Sequence, residues 1–250
     1  MKLIEVEDYE TMSRKAAEEV IEQVNKKPDS VLGLATGGTP TGMYRCLVKD
    51  HQKNLTSYEK IHTVNLDEYV GIPKISPQSY AYYMNEHLFD HINIRKEQIN
   101  LPAVSLADDK KEGEKYEKLI ASLGGIDLQV LGIGENGHIG FNEPGTSFSS
   151  KTGVVELTVS TREANARYFN SLEEVPTHAV SMGIATIMKS RKIVLLVSGK
   201  KKAEVLFKLL NEDVNEQLPA SILKTHENVT IIADQDALSV IKEKEGSVSR

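Results

Sequence analysis

Cysteine is almost missing from this chain. Cys46 is the only one in 250 residues, so no internal disulfide can form. A chain without a cysteine pair fits a reducing compartment. Long apolar runs are missing too. The longest buried-looking run, Ile193 to Val197, has the length of a strand and falls far short of the roughly 20 residues that cross a bilayer. The opening "MKLIEVEDYETMS" carries three Glu and one Asp and lacks an apolar core, so it does not read as a secretory signal. Positive charge is not in excess: the formal net charge is -6. That argues against a general electrostatic grip on nucleic acid or on an anionic membrane and leaves room only for a local basic pocket. No repeat, low-complexity tract or linker interrupts the sequence. These absences predict a single cytoplasmic domain over residues 1–250, long enough to bury a core without disulfide or metal staples.

Several catalytic signatures are also lacking. No Gly-x-Ser-x-Gly elbow is present, so serine hydrolase chemistry has no anchor. No His-Glu-x-x-His pair occurs, and no metal site is expected. Cys46 falls beside Met43 and Leu47 on one helical stretch and reads as core rather than as a nucleophile.

What the sequence does have is alternation. Strand candidates "KLIEV", "VLGLAT", "IHTVNL", "IDLQVLGI", "VVELTV", "KIVLLV" and "VTIIA" are separated by amphipathic segments. Tyr9, Met12, Ala16, Val20 and Val24 recur at spacings of three and four, which predicts a helix with Asp8 at its N-cap. A second helix follows Lys200, with Ala203, Leu206 and Leu210 facing inward. Nearly continuous apolar strands joined by helices predict an α/β, three-layer sandwich around a mainly parallel sheet. Residues 142–180 alternate less cleanly, as an inserted flap would, and "KEKEGSVSR" reads as a fraying end.

Ligands of open parallel sheets bind beyond the carboxyl ends of the strands, and four such junctions are unusual. In "ATGGTPTG", Thr39 is placed to cap a helix and Pro40 to begin it, while Gly37 and Gly38 turn the backbone and bare N–H groups that suit phosphate. No Gly-Lys-Ser/Thr follows, so this is not a nucleotide P-loop, and a plain strand-to-helix turn fits equally well. In "NLDEYVG", Asp67 and Glu68 follow an apolar strand, either as solvated caps or as a general base at the crevice.

The third junction, "LGIGENGHIGFNEPG", contains Gly132-x-Gly134-x-x-Gly137, the letters of a dinucleotide-binding turn. Such a turn must open a helix, but Gly140, Pro144 and Gly145 would break it, and Glu156 falls inside a strand rather than at the end of one. A loop folding back on itself would instead bring Glu143 near His138, fixing the imidazole's tautomer and raising its basicity. A structural histidine in a glycine turn is the plainer alternative. At the fourth junction, Lys200, Lys201 and Lys202 open a helix, where cations oppose the helix dipole unless an anion sits with them. Together the junctions suggest a phosphorylated small molecule, a sugar phosphate above all, undergoing proton transfers without a cofactor.

The stretches "LATGGTPTGMY", "NLDEYVG", "GIGENGHIGFNEP" and "TREANARYF", in this order and spacing, resemble the glucosamine-6-phosphate deaminase family over nearly the whole chain. The resemblance implies a Rossmann-like fold and conversion of glucosamine 6-phosphate and water to fructose 6-phosphate and ammonia. By matching motif, Asp67 would move the proton from C2 to C1, and His138, held by Glu143, would open the sugar ring. Asn136 lies where some members carry Asp, and an amide can orient but cannot share a charge. Gly37, Gly38 and Thr39 would hold the phosphate, with Arg167 and Lys202 as counter-charges, and the 142–180 flap would act as a lid. Members activated by N-acetylglucosamine 6-phosphate carry basic residues where this chain has Gly153 and Val155. That departure, with a short C-terminus, leads to the expectation of a monomer or small homo-oligomer without that activation. Galactosamine 6-phosphate is a rival substrate. The sibling 6-phosphogluconolactonase shares the glycine-histidine loop but needs no C2 base. A sugar-phosphate sensor would need a DNA-binding segment ahead of the first strand, for which no room is expected.

Overall fold

The computed structural model describes residues 1–102 and 109–248. Strand β1 (Lys2–Val6) leads to Asp8, whose carboxylate accepts a 2.8 Å hydrogen bond from the Thr11 N–H and caps α1 (Tyr9–Lys26). Met12, Ala16, Val20 and Val24 are buried along one face of that helix, where each full-sized aliphatic side chain contributes about 1.5–3 kcal/mol by leaving water. There follow β2 (Val31–Leu34), α2 (Thr41–Gln52), β3 (His62–Asn65), β4 (Asp67–Tyr69), α3 (Tyr80–His87), β5 (Ile99–Asn100), α4 (Asp109–Ser122) and β6 (Leu128–Gly132). Next come β7 (Gly153–Glu156), α5 (Val159–Asn165), β8 (His178–Ser181), α6 (Ile184–Ile187), β9 (Ile193–Val197), α7 (Ala203–Asn211), β10 (Val229–Asp234) and α8 (Ser239–Val248).

Seven strands form one sheet in the order β1-β10-β9-β6-β2-β3-β5, and every neighbouring pair runs parallel. One face carries α1, α2 and α3 over Leu32, Leu34, Leu128, Val130 and Ile232. The other carries α4, α6 and α7 over Val64, Leu131, Leu195 and Ile231. The protein is therefore the expected Rossmann-like three-layer α/β/α sandwich. From β2 the chain steps to β3 and β5 on one side; from β6 it steps to β9 and β10 on the other. The carboxyl ends of the adjacent strands β2 and β6 thus flank a topological switch point, where such sheets bind ligands. Among the described residues, no helix is long and apolar enough to cross a membrane.

A second, antiparallel sheet, β4-β8-β7, stands over that end. Its own small core joins Tyr69, Phe141, Leu157 and Ala179. Three expectations are corrected here. Helix α2 begins at Thr41, with Pro40 at the cap position and no side-chain cap bond, so Thr39 and Pro40 lie in the preceding turn instead of starting the helix. The "VVELTV" strand stops at Glu156, because Thr158 turns to cap α5 with its hydroxyl. The C-terminal residues expected to fray continue α8 to Val248, while residues 249–250 lie outside the described residues.

Candidate active site

The turn after β2 is fastened from behind by its carbonyls. Tyr83 donates to the Gly37 carbonyl at 2.7 Å, Tyr9 to that of Gly38 at 3.1 Å, and Tyr44 to that of Ala35 at 2.5 Å. With its carbonyls anchored and Gly37 at a φ of 93°, the turn leaves the N–H groups of Gly37, Gly38 and Thr39 without a protein acceptor among the described residues. That is an arrangement suited to an anion. The Tyr168 hydroxyl, reaching in from the segment after α5, lies close to Gly38. Beside Tyr168, the Arg167 guanidinium stands 4.8 Å from its ring centroid. Lys202, half-buried at the end of the 3-10 turn that leads into α7, is the innermost of the lysine run. Burial lowers its pKa and Glu135 opposes the fall, while the nearby positive charges of Arg167 and Lys201 add to it. Two cations that destabilise each other beside bare N–H groups form a site that an anion would relieve.

Neither carboxylate after β3 is a solvated cap. Asp67 is 7% exposed and Glu68 1%. Glu68 accepts 2.9 Å hydrogen bonds from the N–H groups of Tyr69, Tyr80 and Ala81, which pins the N-terminus of α3 to β4. Asp67 makes no side-chain hydrogen bond to protein among the described residues, and burial, reinforced by the neighbouring Glu68 charge, pushes its pKa up to about 8. The phenols of Tyr44, Tyr69, Tyr80 and Tyr116 surround it closely enough for its charge to help keep them protonated.

The loop after β6 folds back, as its glycines allow. The Gly134 N–H donates to the His138 carbonyl at 2.9 Å, and a Cβ on Gly134 would stand 2.4 Å from the imidazole. Glycine is required there by the ring it touches. His138 Nδ1 lies 3.5 Å from Glu143 Oε2, close enough for an ion pair whenever the ring carries two protons, and Nδ1 makes no aligned hydrogen bond. Asn136 braces both partners: its amide donates to Glu143 Oε2 at 2.7 Å, and its oxygen accepts from the His138 N–H at 3.2 Å. Thr161 of α5 donates to the other carboxylate oxygen of Glu143. Burial alone would raise the Glu143 pKa, but His138, Thr161 and Asn136 together hold it at about 2.

Ser181 ties this loop to Asp67. Across β4 and β8, Asp67 pairs with Ser181, whose hydroxyl accepts the Phe141 N–H at 3.0 Å. Asn142 donates to the Met182 carbonyl at 2.9 Å, and the Met182 N–H to that of Leu66 at 2.6 Å. Above the junction, the Tyr80 ring stacks on Phe141 with centroids 6.3 Å apart. Sequence reasoning missed Glu68 as an anchor and Thr161, Tyr168 and Ser181 altogether. The only signal was that Thr161 and Tyr168 fall within "TREANARYF", of which Arg167 alone was singled out. Among the described residues, no group of three or more His, Cys, Asp or Glu side chains is placed to hold a metal ion.

Residues 7–232 match the family described as glucosamine-6-phosphate isomerases/6-phosphogluconolactonase. The chain belongs to this family. Within it, the chain is 60% identical over 248 residues to a glucosamine-6-phosphate deaminase of Geobacillus sp., covering 99% of each chain. It is 50% identical over 240 residues to glucosamine-6-phosphate deaminase 1 of Bacillus subtilis, covering 96% of this chain and 99% of that one. A solved structure described as a monomeric glucosamine-6-phosphate deaminase superposes with a TM-score of 0.94 at 50% identity, covering 96% of this chain and 99% of that one. The 6-phosphogluconolactonase of Trypanosoma brucei superposes with a TM-score of 0.78 at 20% identity, covering 95% and 97%, and shares the fold.

Proposed function

We propose that this enzyme converts glucosamine 6-phosphate and water to fructose 6-phosphate and ammonia. One observation carries the reading: Asp67 is a buried carboxylate without hydrogen bonds to protein among the described residues, tied through Ser181 to the loop of the Glu143–His138 pair. A lactone hydrolase breaks no C–H bond and needs no base at C2. The relatives named deaminase, at 50% identity and above over nearly the whole chain, support the same choice.

The phosphate rests on the N–H groups of Gly37, Gly38 and Thr39, with Arg167 as a fork of donors and Lys202 as a point charge. His138 carries a proton between the anomeric hydroxyl and the ring oxygen, opening the pyranose, while Glu143 stabilises the imidazolium. Asp67 takes the hydrogen of C2 as a proton. The electron pair left behind forms the C1–C2 double bond, and the C1 oxygen takes up the proton that the C2 ammonium gives off, giving an enolamine. Asp67 then returns its proton to C1, and C2 becomes an imine. Water adds to C2, the C–N bond breaks, and ammonia leaves behind the ketose. Asn136 orients the loop without sharing charge. Burial leaves Asp67 holding its proton up to about pH 8, and the ammonium of an arriving amino sugar favours its ionised form.

The 142–180 segment acts as a lid, since it carries Arg167 to the phosphate and shields the enolamine from water. A monomer is supported by the 0.94 superposition on the structure described as monomeric. Cytoplasmic residence is supported by the substrate's charge, because a phosphorylated sugar does not cross a bilayer unaided. The test supplies glucosamine 6-phosphate and follows both products. Ammonia and fructose 6-phosphate are expected in equal amounts; turnover of phosphogluconolactone with no ammonia from the amino sugar would overturn the reading.

A further inference from the structure

The helix α5 and the 3-10 turn after it touch three corners of the site at once. Near its start, Thr161 donates to Glu143 Oε1. At the end of α5, Asn165 lies near the phenol of Tyr69, which adjoins Asp67, and Phe169 packs edge-on against the same ring at 5.7 Å. At its far end, Arg167 and Tyr168 stand beside Lys202 and Gly38. Thr161 itself is 6% exposed and is held in a relay of hydroxyls. Thr158 donates to it at 3.1 Å, and the Thr158 hydroxyl also accepts the Thr161 N–H at 3.2 Å. The capping residue of the helix therefore fixes the threonine that grips Glu143, and Thr158 also reaches Glu143 Oε1 at 3.5 Å.

We propose that Thr161 is a positioning residue, the latch through which the α5 segment sets Glu143 against His138 when its other end meets the sugar phosphate. Glu143 has two oxygens with separate duties. Oε2 faces the imidazole and Asn136, and Oε1 faces α5. A grip on Oε1 fixes the rotation of the carboxylate and hence the aim of Oε2. The sequence alone hides this, because a threonine two residues into a helix is ordinarily read as part of the cap. The latch rests on the deaminase reading above.

The test compares Thr161→Val, Thr161→Ser, Glu143→Gln and the double variant Thr161→Val/Glu143→Gln in the full chain, with glucosamine 6-phosphate as substrate. Thr161→Val keeps the shape and removes the donor. It is expected to lower kcat by roughly tenfold to a hundredfold, the effect of losing one hydrogen bond to a charged group, with KM nearly unchanged. Thr161→Ser restores the donor and is expected to restore most of kcat. In the Glu143→Gln background, adding Thr161→Val is expected to cost little more. Three results would each overturn the latch: full activity in Thr161→Val, no recovery in Thr161→Ser, or losses that multiply in the double variant. A wild-type enzyme that releases no ammonia would overturn the functional reading instead, before any variant is compared.

Discussion

Asp67 and Glu68 are neighbours on one three-residue strand, and burial raises the pKa of both, but only Glu68 has hydrogen bonds that oppose the rise. Glu68 receives three backbone N–H groups, whereas Asp67 receives none among the described residues. A buried carboxylate held by N–H groups is a structural anchor. One left bare in a ring of phenols has its charge raised in energy, which is what a base for a C–H proton requires.

The first prediction concerns pH. Asp67 must be ionised to act, and burial pushes its pKa up to about 8. The kcat/KM of the free enzyme is therefore expected to rise with pH up to about 8 and to fall on the acid side as Asp67 takes up its proton. Asp67→Asn should still bind the substrate but lose exchange of the C2 hydrogen with solvent, followed by NMR in deuterated buffer. Retained exchange in that variant would remove Asp67 from the role.

The same raised pKa fixes the sign of a stability effect. The folded protein holds the Asp67 proton to about pH 8, whereas the unfolded chain releases it near 4. Folding is thus favoured by protonation, and this contribution is lost as pH rises from about 4 to 8. Asp67→Asn cannot ionise and escapes the loss. It is expected to be more stable than the wild type at pH 8–9, by a few kcal/mol at most, and the advantage should vanish below about pH 4. Urea denaturation at several pH values measures it; equal stability at pH 9 would contradict the burial argument.

Much of this was legible in the chain itself, for physical reasons that differ from place to place. Six of the seven parallel strands announce themselves because a sheet covered on both faces needs uninterrupted apolar runs, as in "KIVLLV"; β5, only two residues long, does not. The second sheet shows only β7, within "VVELTV", because β4 reads "DEY" and β8 reads "HAVS". Neither has an apolar run, and Asp67 and Glu68 are buried against their polarity. His138 and Glu143 could be paired from five residues of separation and the glycines between them. Thr161 could not, since eighteen residues separate it from Glu143 and only the folded segment brings α5 over the loop. The start of α2 was misplaced by one residue because Pro40 suits both the cap and the first turn.

Gly134 offers a test of the loop independent of any titrating group. Its missing side chain is the space the imidazole occupies, since a Cβ there would lie 2.4 Å from the ring of His138. The backbone of the loop is itself held by Asn136 and Ser181, which accept the His138 and Phe141 N–H groups, so the ring is what must move. Gly134→Ala is expected to lower kcat by about a hundredfold while KM stays within a few-fold, because displacement by about 1 Å is enough to spoil proton transfer. Steady-state kinetics of the purified variant decide it, and unchanged kcat would mean that the ring orientation seen here is not the working one.

Lys202 lies at the opposite end of the site, and its effect should fall on binding. It is half-buried, it opposes the dipole of the helix it precedes, and it repels Arg167 and Lys201. A doubly charged phosphate turns each of those costs into an attraction. Lys202→Glu replaces that attraction with repulsion next to Glu135, which now partly offsets the lysine. A charge reversal at a desolvated contact is expected to raise KM for glucosamine 6-phosphate by about a hundredfold or more, with kcat at saturation far less affected. Unphosphorylated glucosamine, bound weakly by either protein, should show little difference between them. If KM rose equally for the sugar with and without its phosphate, Lys202 would be acting on the fold of the α7 entry instead of on the anion, and the phosphate would have to be sought elsewhere along the rim.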